Sequence, residues 1–184
     1  MRFREATHDD IQFVAELHTA SWRENFRGAF SDEYLNGPVV DDRLRTWTER
    51  LTEPTPDQYV VIAEDDAGLA LGFACAFGAE DERWGTFLDN LHVRRDRFAL
   101  GIGKQLMSAV AEWSIRDYPE CGMHLLVLES NGRARLFYER LGAFDAEDSL
   151  TFDSPGGPVR SRRYAWTAEA LAAIPSLVAD SGHE

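Results

Sequence analysis

The sequence predicts an α/β protein: one mixed sheet of about six to seven strands, flanked by helices on both faces. Two observations carry that expectation. Apolar spacing switches between the helical and the extended period in the order strand, helices, three strands, helix, strand, helix, two strands. Within that order a strand, a helix and another strand follow directly over residues 85–128, the crossover that joins neighbouring parallel strands.

The opening RFREAT alternates and reads as a short strand. Thr7 and Asp10 have capping-box spacing, and Ile11, Val14, Leu17, His18, Ser21 and Trp22 then recur at helical spacing. Ser31 precedes a short helix, DEYLN, that ends at Gly37-Pro38. Residues 41–51 put Leu44, Trp47 and Leu51 on one helical face. After Pro54 and Pro56 the texture changes to QYVVIAE and LALGFACAF, a hairpin around Asp65-Asp66-Ala67-Gly68, with a bulge or kink expected at Gly72. GTFLDNLHV follows as a third strand, in which strict alternation places Phe87, Asp89, Leu91 and Val93 on one face. Residues 101–117 form a helix with Ile102, Leu106, Ala109, Val110 and Trp113 inward. MHLLVLE is a buried strand, Asn131 to Leu141 an amphipathic helix, and SLTFD and VRSRRYAW flank a turn at residues 154–158. Residues 1–170 are expected to form a single domain, with 171–184 a loose tail.

Composition excludes several classes. The chain has 184 residues, 44% hydrophobic and 28% charged, which suits a globular core. Lys and Arg number 19 and Asp and Glu 32, a net charge of −13 that repels phosphate backbones, so no nucleic-acid partner is expected. The N-terminal MRFREATHDD has no apolar run of a signal peptide, and no stretch approaches the roughly 20 apolar residues that span a bilayer. Cys75 and Cys121 lack metal-site spacing and read as free buried thiols, so no metal is expected. A reduced, cytoplasmic protein without membrane contact is the expectation.

The strongest local signal is VRRDRFALGIGKQLM, residues 93–107: a strand ends, a basic loop follows, and two glycines open a helix. Free amides and the positive end of the helix dipole make such a start an anion site, most of all for phosphate. Arg94, Arg95, Arg97 and Lys104 against Asp96 give this segment a local charge of +3. It is neither of two familiar phosphate loops. Leu106 stands where a dinucleotide fingerprint has its third glycine, and Gln105 follows Lys104 where a Walker loop has Ser or Thr.

On these residues the sequence resembles the GCN5-related N-acetyltransferase (GNAT) superfamily, whose glycine loop has the form Gln/Arg-x-x-Gly-x-Gly/Ala. Gly101 and Gly103 match it. LLVLESNGRARLFYERLGA resembles the second cofactor segment through Asn131, Ala134, Phe137, Tyr138, Glu139 and Gly142, and SWRENFRGAFSDEYL resembles the helical start of many bacterial members. The likeness covers nearly the whole chain. One position departs: Phe98 stands at the Gln/Arg site, with Arg97 one residue early and the small Ala99 after it.

The resemblance implies an acetyl-CoA-dependent N-acetyltransferase acting by direct transfer to a primary amine, without a metal. Backbone amides from Phe98, Ala99, Leu100, Gly101, Ile102, Gly103 and Lys104 are then expected to hold the pyrophosphate. Leu91, His92 and Val93 meet the pantetheine arm together with Asn131 and Ala134. Tyr138 would protonate the departing thiolate, which a phenol with a pKa of about 10 can do at neutral pH. A base must also deprotonate the amine. Asp89 is the first candidate, with Glu129 and His92 as alternatives, and His92 is expected to point away from Asp89 and to be a satisfied structural histidine. Trp22, Phe26, Tyr34 and the final hairpin are expected to recognise a small-molecule or peptide amine, although for Trp22 and Phe26, four apart on a helix, simple core packing is the favoured reading. A homodimer is common in the family. Two other readings share the fold: an acyl-CoA-binding sensor without turnover, and a transferase for a longer acyl chain.

Overall fold

A computed structural model of the chain describes residues 1–154 and 157–180. Among them, seven strands form one sheet: β1 (Arg2–Glu5), β2 (Gln58–Glu64), β3 (Ala70–Asp81), β4 (Gly85–Val93), β5 (Met123–Leu128), β6 (Phe144–Ser154) and β7 (Gly157–Trp166). Their spatial order is β1-β2-β3-β4-β5-β7-β6. All neighbours are antiparallel except β4 and β5, the pair expected from the crossover. Helices α1 (Ile11–Asn25), α2 (Asp32–Asn36) and α3 (Val39–Thr52) fill the connection from β1 to β2. Helix α4 (Ile102–Asp117) makes the crossover, α5 (Gly132–Arg140) joins β5 to β6, and α6 (Ala168–Asp180) follows β7.

Alternation along β3 divides the core between two faces. Phe73 and Cys75 pack with Val14 of α1 and Trp47 of α3, while Ala74 and Ala76 pack with Leu106 and Val110 of α4. Each large side chain removed from water in this way contributes roughly 1.5–3 kcal/mol, which is what holds the helices to the sheet. Local caps start the N-terminal elements. The Thr7 N–H donates to Asp10 Oδ2 at 2.8 Å in the expected capping box, and the Tyr34 N–H donates to Ser31 Oγ at 3.2 Å at the head of α2. Cys75 is a buried free thiol and Cys121 a half-buried one. No helix among the described residues is long and apolar enough to cross a membrane.

The structure corrects the sequence reading in three places. The tail expected to be loose from residue 171 is helical through Asp180, and Leu171 and Ile174 are fully buried in the core that includes α4. Pro175 inside α6 obscures that pattern, because an interior proline ordinarily ends a helix. Strand β6 begins at Phe144, five residues before the apolar run that announced it, and its turn at 155–156 lies outside the described residues.

The third correction concerns β4. Cys75 pairs with Asn90 and Ala76 with Leu88, so Asp89 is the extra residue of a β-bulge. A bulge breaks strict alternation. Leu88, Leu91 and Val93 therefore pack with the α4 core, whereas Asp89 turns to the α3 side and meets Arg50 at 2.5 Å. His92 lies on that same side, 5.2 Å from Phe73 between ring centroids. Asp89 thus does not share a face with Leu91 and Val93, and His92 does not point away from it.

Candidate active site

Strands β4 and β5 pair only at Thr86–Met123 and Phe87–His124, so they part toward Val93 and Leu128. A groove of about 630 Å³ opens beside the free end of β4, between the start of α4 and helix α5. Leu91, His92 and Val93 line one wall, as expected from the sequence.

The loop after β4 is a 3-10 turn, Arg95–Leu100, that delivers the chain to Gly101 at φ 71°. An L side chain is strained there, which is why glycine caps α4. The first amides of α4, at Ile102 and Gly103, have no carbonyl one turn back to accept from them. Phe98, Leu100, Gly101, Gly103 and Lys104 all line the groove. Ile102 does not: its side chain is fully buried in the core, leaving only its backbone for a ligand. The Ala99 side chain lies outside the described residues. A Cβ added at Gly103 would sit 3.6 Å from the Phe137 ring and 3.8 Å from Val93, so α4, α5 and β4 meet closely at this point.

The charge of the groove differs from the sequence reading. Arg94 and Arg97 lean on Asp96 at 3.3 and 3.6 Å, and Arg95 reaches Glu24 at 3.1 Å. Only Lys104 of the four basic residues lines the groove. Its partner is Arg133, which the sequence reading passed over; its guanidinium lies over the Phe98 ring, 4.5 Å from the centroid. Phe98 thus serves as a platform for a cation in place of supplying one, a contact worth about 0.5–1 kcal/mol at an exposed site. Arg133 stands in the first turn of α5, where the helix dipole disfavours a cation. That local conflict was the available signal. Among the described residues, Lys104 and Arg133 are the only permanently charged side chains lining the groove, in a chain of net charge −13.

Helix α5 is fixed at both ends. Asn131 Oδ1 accepts the Ala134 N–H at 3.1 Å, so Asn131 caps the helix while it and Ala134 line the groove. At the far end Trp166 Nε1–H donates to the Leu141 carbonyl at 2.8 Å. Tyr138 packs edge-on against Phe137 and Trp166, with centroids 5.2 and 6.0 Å away, and lines the groove. Burial pushes its phenol above the ordinary tyrosine value, so it is protonated throughout the neutral range.

Asp89, by contrast, is outside the groove lining and tied to Arg50. Trp22, Phe26 and Tyr34 are also outside it. They join Phe30 in an aromatic ladder: Trp22 lies 5.0 Å and Tyr34 5.9 Å from Phe30, packed with Leu128 and Val159. Tyr34 donates to Asp42 and borders a separate hollow with Pro38, Asp41 and Arg45. Core packing is the geometry these three show, and α1 presents Ser21 and Asn25 to the groove in their stead. Glu129 is held by Arg160 at 3.3 Å and Arg162 at 3.7 Å.

Two imidazoles lie together on the α1 side, His18 and His92, with centroids 4.7 Å apart. Burial, aided by the nearby Arg43 charge, holds His18 well below its ordinary value and His92 at about 4. Unfolded, each takes a proton near 6.5. Between the two values the unfolded state binds more protons, so stability is lost as pH falls. Tm is expected to drop as pH is lowered from 6.5 to about 4, and a His92→Gln variant to lose part of that drop. A flat Tm across the window, measured by scanning calorimetry, contradicts the neutral buried pair.

A model of the acetyltransferase (GNAT) family matches residues 12–143. The chain is 28% identical over 139 residues to the uncharacterized N-acetyltransferase YuaI of Bacillus subtilis (strain 168), covering 74% of this chain and 76% of that one. Solved structures with the same fold include a GCN5-related N-acetyltransferase from Rhodopseudomonas palustris, with TM-score 0.69 and 19% identity over 90% of this chain and 94% of that one. PaiA N-acetyltransferase from Thermoplasma acidophilum, in complex with coenzyme A, has TM-score 0.63 and 18% identity over 90% and 98%. A variant of spermidine N-acetyltransferase SpeG from Vibrio cholerae has TM-score 0.67 and 14% identity over 92% and 95%.

Proposed function

The chain belongs to the acetyltransferase (GNAT) family and is an acyltransferase, and on that footing we propose that it binds acetyl-CoA in the groove and directs the acetyl group to a primary amine. The observation that carries this reading is a groove lined, among the described residues, by two cations and no carboxylate in an acidic chain. The fit extends along its length. Amides at the head of α4, Lys104 and Arg133 suit a diphosphate, while Val93, Leu100, Ala134 and Phe137 suit an apolar arm. The backbone of Leu91–Val93, unpaired on its β5 side, offers N–H and C=O groups to an extended chain.

Bound there, acetyl-CoA supplies an acetyl thioester. Tyr138 holds a phenolic proton on the groove wall and gives it to the departing sulfur. His92 lines the groove and stays neutral at pH 7, so it can accept a hydrogen bond from the incoming amine and orient it, while the ammonium's proton passes to water. Asp89 is not assigned a base's role, because Arg50 engages it away from the groove.

Thiol release from acetyl-CoA, followed over a panel of primary amines, tests the reading. At least one amine is expected to raise release above the amine-free rate and to gain one acetyl group by mass. Acetyl-CoA binding without acceleration by any amine would favour a sensor instead.

A further inference from the structure

Beside His92 lies a set of nitrogen donors that the transfer step does not use. His18 on α1 is 1% exposed, and its Nδ1 accepts from Trp47 Nε1–H at 3.0 Å. An indole N–H can only donate, so the neutral imidazole carries its own proton on Nε2. That Nε2–H is buried and has no hydrogen-bond partner among the described residues. The His92 Nε2, on the adjacent ring, has none either.

Arg43 on α3 completes the set. Its guanidinium lies over the Trp22 ring at 4.2 Å, and the same ring is 4.8 Å from His18. Arg43 Nη2 donates to Asp42 at 2.9 Å, but its buried Nε–H has no partner among the described residues. Buried donors are nearly always paired, and each one left over calls for an explanation. The carboxylates that could answer are occupied: Asp42 also accepts from Tyr34 and Arg45, and Asp89 is bound to Arg50.

A polycationic acceptor needs free carboxylates at its binding site, and this cluster presents a guanidinium and an imidazole N–H. Resting on the transferase reading above, we infer that His18 and Arg43 form a subsite for a carboxylate carried by the acceptor, whose amine then lies at His92. The acceptor class is an amino acid or another small amino carboxylate. The Arg43 and His18 N–H groups donate to the carboxylate oxygens, and the short span from His18 to His92 matches an amine and carboxylate on neighbouring carbons.

Product binding tests the subsite independently of turnover. The CoA-loaded protein is titrated calorimetrically with N-acetyl derivatives of glycine, alanine, leucine and phenylalanine, with their carboxamides, and with N-acetylspermidine. At least one acid is expected to bind about tenfold or more tightly than its amide, the size of one charge-assisted hydrogen bond. Arg43→Met should abolish that preference and leave CoA affinity unchanged, which also shows the variant folded; Arg43→Lys, which keeps the charge but not the planar fork, should retain part of it. Equal binding of acids and amides, no binding of either at tens of millimolar, or preference for N-acetylspermidine overturns the inference. Failure of the transferase reading is seen separately, as CoA binding without thiol release for any amine.

Discussion

Replacing Tyr138 with phenylalanine is expected to lower kcat by about a hundredfold or more, the range for a lost general acid. KM for acetyl-CoA should hardly move, because the ring keeps its contacts with Phe137 and Trp166 and only the hydroxyl is removed. The phenol is suited to this step by its setting. Burial raises its pKa, so it stays protonated at neutral pH until a thiolate forms beside it. Steady-state kinetics at saturating acceptor measure the effect, and an unchanged kcat removes Tyr138 from the chemistry.

The second large effect lies at the other end of the groove. Lys104→Ala combined with Arg133→Ala is expected to weaken acetyl-CoA binding about a hundredfold or more, since charge-assisted contacts to phosphate are each worth about 1.5–3 kcal/mol. Arg133 acts as a unit with Phe98, whose ring holds the guanidinium at 4.5 Å. Fold stability should be little affected, because both cations stand on the groove wall outside the packed core. Loss of affinity in the double variant with an unchanged Tm separates binding from folding.

Much of the fold was legible because its elements carry strong local signals. β4 begins and ends where GTFLDNLHV does, α4 starts one residue after Gly101, and Asn131 caps α5 where its helical pattern starts. The parallel pair followed from chain order alone. Nonlocal facts were not legible. Alternation cannot reveal the bulge at Asp89, which depends on how β3 pairs with β4, and one extra residue moved the candidate base to another face. The basic run at 94–97 read as a cation cluster, yet Asp96 and Glu24 pair with its members. Arg133 entered the groove from a different helix, beyond the reach of any window around the glycine loop. The resemblance put Trp22, Phe26 and Tyr34 at the acceptor side, whereas in the structure they form a ladder with Phe30.

The proposed function puts a diphosphate at Gly101–Lys104 and Arg133 and a thioester arm along Leu91–Val93 of one groove. Calorimetric titration of the wild-type protein with acetyl-CoA and with S-acetylpantetheine, which lacks the phosphates, tests it most directly. Acetyl-CoA should bind about a hundredfold or more tightly than the truncated donor, and the Lys104→Ala/Arg133→Ala protein should lose most of that difference. Equal binding of the two donors, or no binding of acetyl-CoA to folded protein, would contradict the anion site and the transfer chemistry built upon it.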